Sequence, residues 1–289
     1  MAVIDAHVHL STISAFAKTA RQASHVQYSY SGLMDEMDRS GVDLAIAMGV
    51  REMEGGEGFP DRSPNSPMGL DLIPSVQKGQ RVAECPGINP FRVGRKEIPA
   101  LERALLEPQT VGIKIYLGYY PYYAFDDVYA PVYDLAASFD LPVVFHTGDT
   151  FSTRGLLKYA HPLTIDEVAV KYPKNRFVMA HFGDPWMLDA AEVLYKNPNV
   201  YADLSGLMVG DRYELKRIRE TPHFFDHFKH ALAFCDRPDK LMFGTDWPLT
   251  PIAPYIDFID HYIPGTAKDE IFGGTALQVF SKLRYLMTR

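Results

Sequence analysis

The stretch Ala2-Val3-Ile4-Asp5-Ala6-His7-Val8-His9 opens the chain with an apolar run that ends in two histidines one residue apart. Alternate side chains of an extended strand share a face, so His7 and His9 project together from the end of such a strand. Two converging imidazoles are the beginning of a metal site. Further along, short apolar runs again close on a ligand-type side chain: Val143-Val144-Phe145-His146, Phe177-Val178-Met179-Ala180-His181 and Leu241-Met242-Phe243-Gly244-Thr245-Asp246. A single His-x-His is weak evidence, because a lone strand-end histidine is more often a hydrogen-bonded structural residue. The repetition carries the reading.

Outward from these runs, eight apolar segments alternate with helical patterns, at residues 3–6, 42–48, 82–88, 111–115, 142–145, 176–180, 199–202 and 240–243. Strand–helix alternation implies parallel pairing through right-handed crossovers, and eight such units predict an α/β protein built as a single (β/α)₈ TIM barrel over residues 1–289. The alternative, an open doubly wound sheet, calls for a Gly-x-Gly-x-x-Gly turn after a strand, and none is present. Helix starts fit the alternation. Thr164-Ile165-Asp166-Glu167 reads as a capping box, and Asp184-Pro185 and Thr250-Pro251 each set a cap residue before a proline. Two connections are long: residues 50–79, read as a lid or a surface insertion, and residues 116–123, read as a pocket wall or a tyrosine-rich packing corner.

The chain has 29 basic and 36 acidic residues for a net charge of −7, with no Lys/Arg run to track a phosphate backbone, which argues against nucleic acid as a partner. Cys85 and Cys235 stand far apart, so neither a disulfide framework nor a thiolate zinc site is expected. No basic leader and no apolar run of about 18 residues is seen, and the expectation is a cytoplasmic protein without a membrane segment. A small-molecule substrate is the expected partner, and a homo-oligomer is compatible with the sequence.

The motifs from His7 to Asp246, with the tail Ile271-Phe272-Gly273-Gly274-Thr275-Ala276-Leu277-Gln278-Val279-Phe280, resemble the amidohydrolase superfamily. Within it they are similar to the TIM-barrel metal-dependent hydrolase branch that includes the aminocarboxymuconate-semialdehyde decarboxylase group, which more often has Asn where Thr275 stands. The resemblance implies that His7, His9, His146 and Asp246 hold a divalent metal, and that His181 binds the activated water or a second ion. Zinc suits this N/O set and leaves a coordination position for water, whose pKa it lowers to about 7. Asp246 would also take a proton from that water and pass it to the leaving group. Lys114 ends the fourth strand, where binuclear members carry a carboxylated lysine. The alternatives are a plain ammonium that grips a substrate carboxylate and a barrel-interior salt bridge, and one ion is favoured over two.

Other residues are weighed around this centre. Lys114, Tyr116, Arg154 and Trp247 are substrate-binding candidates, with Arg92 and Trp186 beside them. His25 and His161 fall in loops after strands. His223, His227 and His230 have helical spacing but no accompanying His-Glu-x-x-His, and His261 reads as structural. The resulting expectation is a hydrolase that attacks an ester, lactone or amide carbonyl with metal-activated water. A rival keeps the same metal site for non-oxidative decarboxylation of an aromatic or unsaturated acid, and a third reading is a metal-stabilised barrel that binds a ligand without turnover.

Overall fold

The computed structural model describes residues 2–50, 81–94 and 97–287. Eight short strands follow in chain order: β1 Ile4–Val8, β2 Leu44–Met48, β3 Val82–Cys85, β4 Ile113–Ile115, β5 Val143–Phe145, β6 Phe177–Met179, β7 Val200–Asp203 and β8 Leu241–Met242. All pair in parallel, β1-β2-β3 in one ladder and β4 through β8 in another. Backbone hydrogen bonds join the ladders: Lys114 N–H donates to Pro86 O and Ile88 N–H to Lys114 O between β3 and β4. At the seam of first and last strands, Ala6 N–H donates to Phe243 O, Asp246 N–H to His7 O and His9 N–H to Trp247 O. The sheet therefore closes, and the chain is a TIM barrel with every expected strand present.

Strand alternation sorts the core into layers. In β4 and β5, Ile113, Ile115, Val143 and Phe145 face outward into the layer packed by helices. Val144 belongs to a separate cluster with Ile4, Ile46, Val178 and Met242, closed below by Phe280, Leu283 and Leu286 of the C-terminal segment. Gly112 makes room for that plug, since a β-carbon there would lie 2.9 Å from Cys85 Sγ and 3.2 Å from Phe280 Cε1. Each fully buried side chain of this size contributes about 2 kcal/mol.

Helix starts differ from the sequence expectation by a residue or more. Thr164 lies inside the helix Leu163–Lys171, and its hydroxyl accepts from Ala124 N–H at 2.9 Å instead of capping. The helices Met187–Lys196 and Ile252–Tyr262 begin after Trp186 and Pro251, not after Asp184 and Thr250. For the latter, Glu36 supplies the missing cap from the helix Tyr30–Ser40 by accepting from Ile252 N–H at 3.0 Å. The expected lid at residues 50–79 lies outside the described residues except for Val50. Among the described residues, no helix is long and apolar enough to cross a membrane.

Candidate active site

Tautomers decide what the strand-end histidines can do, and each ring has one nitrogen already committed. His9 Nδ1 faces Met48 O at 3.1 Å, a pure acceptor, so Nδ1 carries the proton. Its Nε2 then points a lone pair at Asp246 Oδ1, 2.9 Å away. His7 Nδ1 meets Asp203 Oδ2 at 2.9 Å, which leaves Nε2 unprotonated, 3.6 Å from the same Asp246 oxygen. Burial first, and then the charge of Lys114, lowers the His7 pKa to about 3, so this ring stays neutral. Asp246 Oδ1 is buried without a hydrogen-bond donor. The three ligand atoms lie within 4.8 Å of one another, with no donor between His9 Nε2 and Asp246 Oδ1 and Lys114 Nζ 3.5 Å from His7 Nε2, an arrangement that calls for a cation. Two imidazoles and a carboxylate are the N/O donor set that suits a divalent metal, and the residues present fit one.

The other two histidines repeat the arrangement. His146 Nε2 donates to Asp149 O at 2.7 Å, and His181 Nδ1 faces Ser205 O at 3.1 Å and Ser205 Oγ at 2.9 Å. Their remaining nitrogens, His146 Nδ1 and His181 Nε2, meet at 3.2 Å. Burial, then the neighbouring His181, pushes the His146 pKa well below its usual value. Among the described residues the sets of three close ligand atoms are His7–His9–Asp246 and His7–His181–Asp203, and His146 joins neither. The second set is no vacant site. Asp203 already accepts from His7 on one oxygen, and on the other from His181 N–H at 3.0 Å, Ser205 N–H at 3.1 Å and Ser205 Oγ at 2.5 Å.

The backbone is bent to make this convergence. His181 (φ 63°), Phe182 (φ 45°) and Gly183 (φ 67°) are consecutive left-handed residues, and Asp246 (φ 60°) is another. Left-handed non-glycine residues cost on the order of 1 kcal/mol or more each and persist only where surroundings fix them. Here Asp203 holds His181 N–H, and His7 O holds Asp246 N–H at 2.8 Å. Gly206 (φ 64°) must lack a side chain, because a β-carbon would lie 2.7 Å from His181 Nδ1 and 2.9 Å from Asp246 Oδ2.

A cavity of about 240 Å³ opens above this floor. Its walls are aromatic and aliphatic: Phe16, whose ring stacks 4.4 Å from His9, with Tyr116, Tyr119, Phe151, Leu207 and Leu249. Asp149 and Asp184 add two carboxylates. Lys114 is fully buried at the floor, Nζ 3.5 Å from His7 Nε2, and burial lowers its pKa to about 8 against the pull of Asp203 and Asp246. Tyr116 lines the wall beside His146, its hydroxyl buried without a hydrogen-bond partner and its pKa pushed far up by that burial.

Several sequence candidates fall elsewhere. Trp247 does not line the cavity. As the neighbour of inward-facing Asp246 it points outward, fully buried among Val8, Leu33 and Ile252, with its indole N–H donating to Glu36 at 3.1 Å. Arg154 is exposed and absent from the lining, while Arg92 pairs with Glu97 at 3.5 Å. His223 precedes the helix Asp226–Cys235, so the helical trio does not form; His223 pairs with Asp226 and His227 reaches Asp184 at 3.3 Å. His161 packs on Trp186, His25 lies 4.0 Å from Asp211, and His261 packs on Tyr262. Sequence reasoning missed Asp203, Ser205 and Gly206. Their signal was Tyr201-Ala202-Asp203-Leu204-Ser205-Gly206, a polar run closing the seventh strand as the histidines close theirs.

The amidohydrolase family model matches residues 4–282. No curated protein matches the chain. Among solved structures, an uncharacterized TIM-barrel protein from Bordetella bronchiseptica is similar with a TM-score of 0.69 at 17% identity, covering 98% of this chain and 99% of that one. A probable 2-pyrone-4,6-dicarboxylic acid hydrolase from Acinetobacter baumannii, with citric acid bound, is similar with a TM-score of 0.62 at 16% identity, covering 97% and 100%. A 5-carboxyvanillate decarboxylase from Novosphingobium aromaticivorans, complexed with manganese and a nitrobenzoic acid, gives a TM-score of 0.62 at 14% identity, covering 97% and 96%.

Proposed function

The chain belongs to the amidohydrolase family, and from that premise and the geometry of its site we propose that it is a divalent-metal-dependent hydrolase of a small, largely uncharged ester, lactone or amide. The observation that carries the reading is the convergence of unprotonated His7 Nε2, His9 Nε2 and the unpartnered Asp246 Oδ1 within 4.8 Å of one another. These three would hold one ion, with His146 the fourth ligand expected from sequence and zinc the metal that suits the set. When bound, such an ion lowers the pKa of water toward neutrality and polarises a carbonyl. Asp246 and His181 serve as the proton acceptors at the cavity floor. His181, protonated on Nδ1, receives a proton at Nε2 and can return it to the leaving group. A single ion is favoured because the four donors on Asp203 fill the second candidate set.

Hydrolysis is preferred to decarboxylation on the charge of the walls. An aromatic acid entering the cavity passes Asp149 and Asp184, and among the described residues Lys114 is the one ammonium that lines it. The aromatic walls and the likeness to a 5-carboxyvanillate decarboxylase support the second reading, decarboxylation of an aromatic acid at the same centre. The test is chelation of the full-length protein and reconstitution with zinc or manganese. It is then assayed on a lactone, ester and amide panel and for CO₂ release from hydroxylated benzoates. Turnover of the neutral panel, lost on chelation and restored at about one ion per chain, is expected. CO₂ release without hydrolysis selects the second reading, and metal binding with no turnover of either panel selects the ligand-binding barrel.

A further inference from the structure

We infer that Asp203 is a positioning residue that fixes the tautomers of two histidines at once, His7 directly and His181 through Ser205. The inference rests on the metal-centre reading above and adds to it what sets the ligand nitrogens. Backbone N–H groups can only donate, so the amides of His181 and Ser205, at 3.0 and 3.1 Å, mark Asp203 Oδ1 as an acceptor. Ser205 Oγ, 2.5 Å from the same oxygen, must therefore give its one proton to Asp203. With that proton spent, Ser205 Oγ can only accept from His181 Nδ1 at 2.9 Å, and Ser205 O at 3.1 Å can only accept as well. His181 is locked as the Nδ1–H form, with Nε2 bare. On the other side Asp203 Oδ2 takes the Nδ1 proton of His7 at 2.9 Å, which bares His7 Nε2. One carboxylate thus chooses which nitrogen of each ring looks into the cavity.

An asparagine at this position has a single oxygen. Three donors hold it at the Oδ1 position, so Asp203→Asn turns its NH₂ toward His7 Nδ1. His7 must then offer a lone pair there and carry its proton on Nε2, beside Asp246 Oδ1, where a cation would sit. Size and shape barely change, while a ligand lone pair becomes an N–H.

The test is long-range ¹H–¹⁵N correlation of the zinc-loaded, full-length protein with zinc affinity by chelator competition. Wild type is expected to show Nδ1–H forms for His7 and His181. Asp203→Asn is expected to lose the His7 Nδ1–H signal and to weaken zinc binding about 10–100-fold, as loss of a carboxylate behind a ligating histidine does. Ser205→Ala is expected to move the His181 ring signals while the His7 signal is unchanged and zinc affinity stays within about twofold. Should Asp203→Asn not fold, Ser205→Ala decides alone. Retention of the His7 Nδ1–H signal and wild-type affinity in Asp203→Asn, or equal disturbance of both rings in Ser205→Ala, overturns the inference. A wild type that binds no zinc overturns the metal-centre reading instead, and the ring signals of the metal-free protein still decide the tautomers.

Discussion

Gly206→Ala adds one methyl group where the site has no room for it. The residue sits at φ 64°, and the new carbon would lie 2.7 Å from His181 Nδ1, short of the 3.4 Å at which ordinary contact begins. Either the left-handed turn after β7 or the His181 ring must move by about 0.7 Å. The left-handed conformation costs alanine about 1 kcal/mol more than glycine, and overpacking adds about 1–3 kcal/mol. A total of about 2–4 kcal/mol corresponds to a melting temperature lower by roughly 3–7 °C for a domain of this size. His181 and Asp246 are displaced together, since the same carbon would lie 2.9 Å from Asp246 Oδ2, and a misplacement of this order costs roughly 10–100-fold in kcat. Thermal melting with and without zinc, together with kcat and KM on the best substrate of the panel, measures both effects. A variant that melts like wild type and turns over at its rate would show that His181 and Asp246 do not meet over Gly206, and the assembly of the site would have to be redrawn.

Two further substitutions probe the floor and the outer layer. Lys114→Met removes an ammonium that burial disfavours; with the lysine pKa lowered to about 8, its charged form is held in the metal-free fold at a cost of roughly 3 kcal/mol. That penalty is complete below pH 8 and fades as pH rises toward the usual lysine value. Urea unfolding should therefore find the variant more stable at pH 7, with the gain shrinking between pH 8 and pH 10.5, and lower stability at pH 7 would sink the assignment. Trp247→Phe breaks the indole bond to Glu36, and denaturant melts should register a loss of about 1–3 kcal/mol. Its kcat/KM should stay within about threefold of wild type, whereas altered selectivity across the panel would return Trp247 to the pocket.

The barrel was legible because its strands are short, apolar and spaced by amphipathic helices, a pattern that survives without any knowledge of contacts. The candidate site was legible for a related reason: His7, His9, His146, His181 and Asp246 each close an apolar run, and strand ends collect at one rim. What escaped was the layer behind them. Asp203 and Ser205 act on the rings' second nitrogens, and nothing local in sequence distinguishes a carboxylate that receives four donors from one in water. Trp247 was misplaced although alternation was available to correct it, because an aromatic beside Asp246 is an attractive stacking partner and residue 246 faces inward. Helix caps were misread for a different reason: Glu36, which caps Ile252 from another helix, is remote in sequence.

The seam between first and last strands gives the site an unusual order of birth. Asp5 and Thr245, hydrogen-bonded at 2.6 Å beside the candidate ligands, are 240 positions apart, so a ribosome releases one end of the site long before it has made the other. A nascent or truncated chain lacking its final strand owns the four histidines of the centre but not Asp246. An ion captured across the seam would fasten the first and last strands of the barrel together like a clasp.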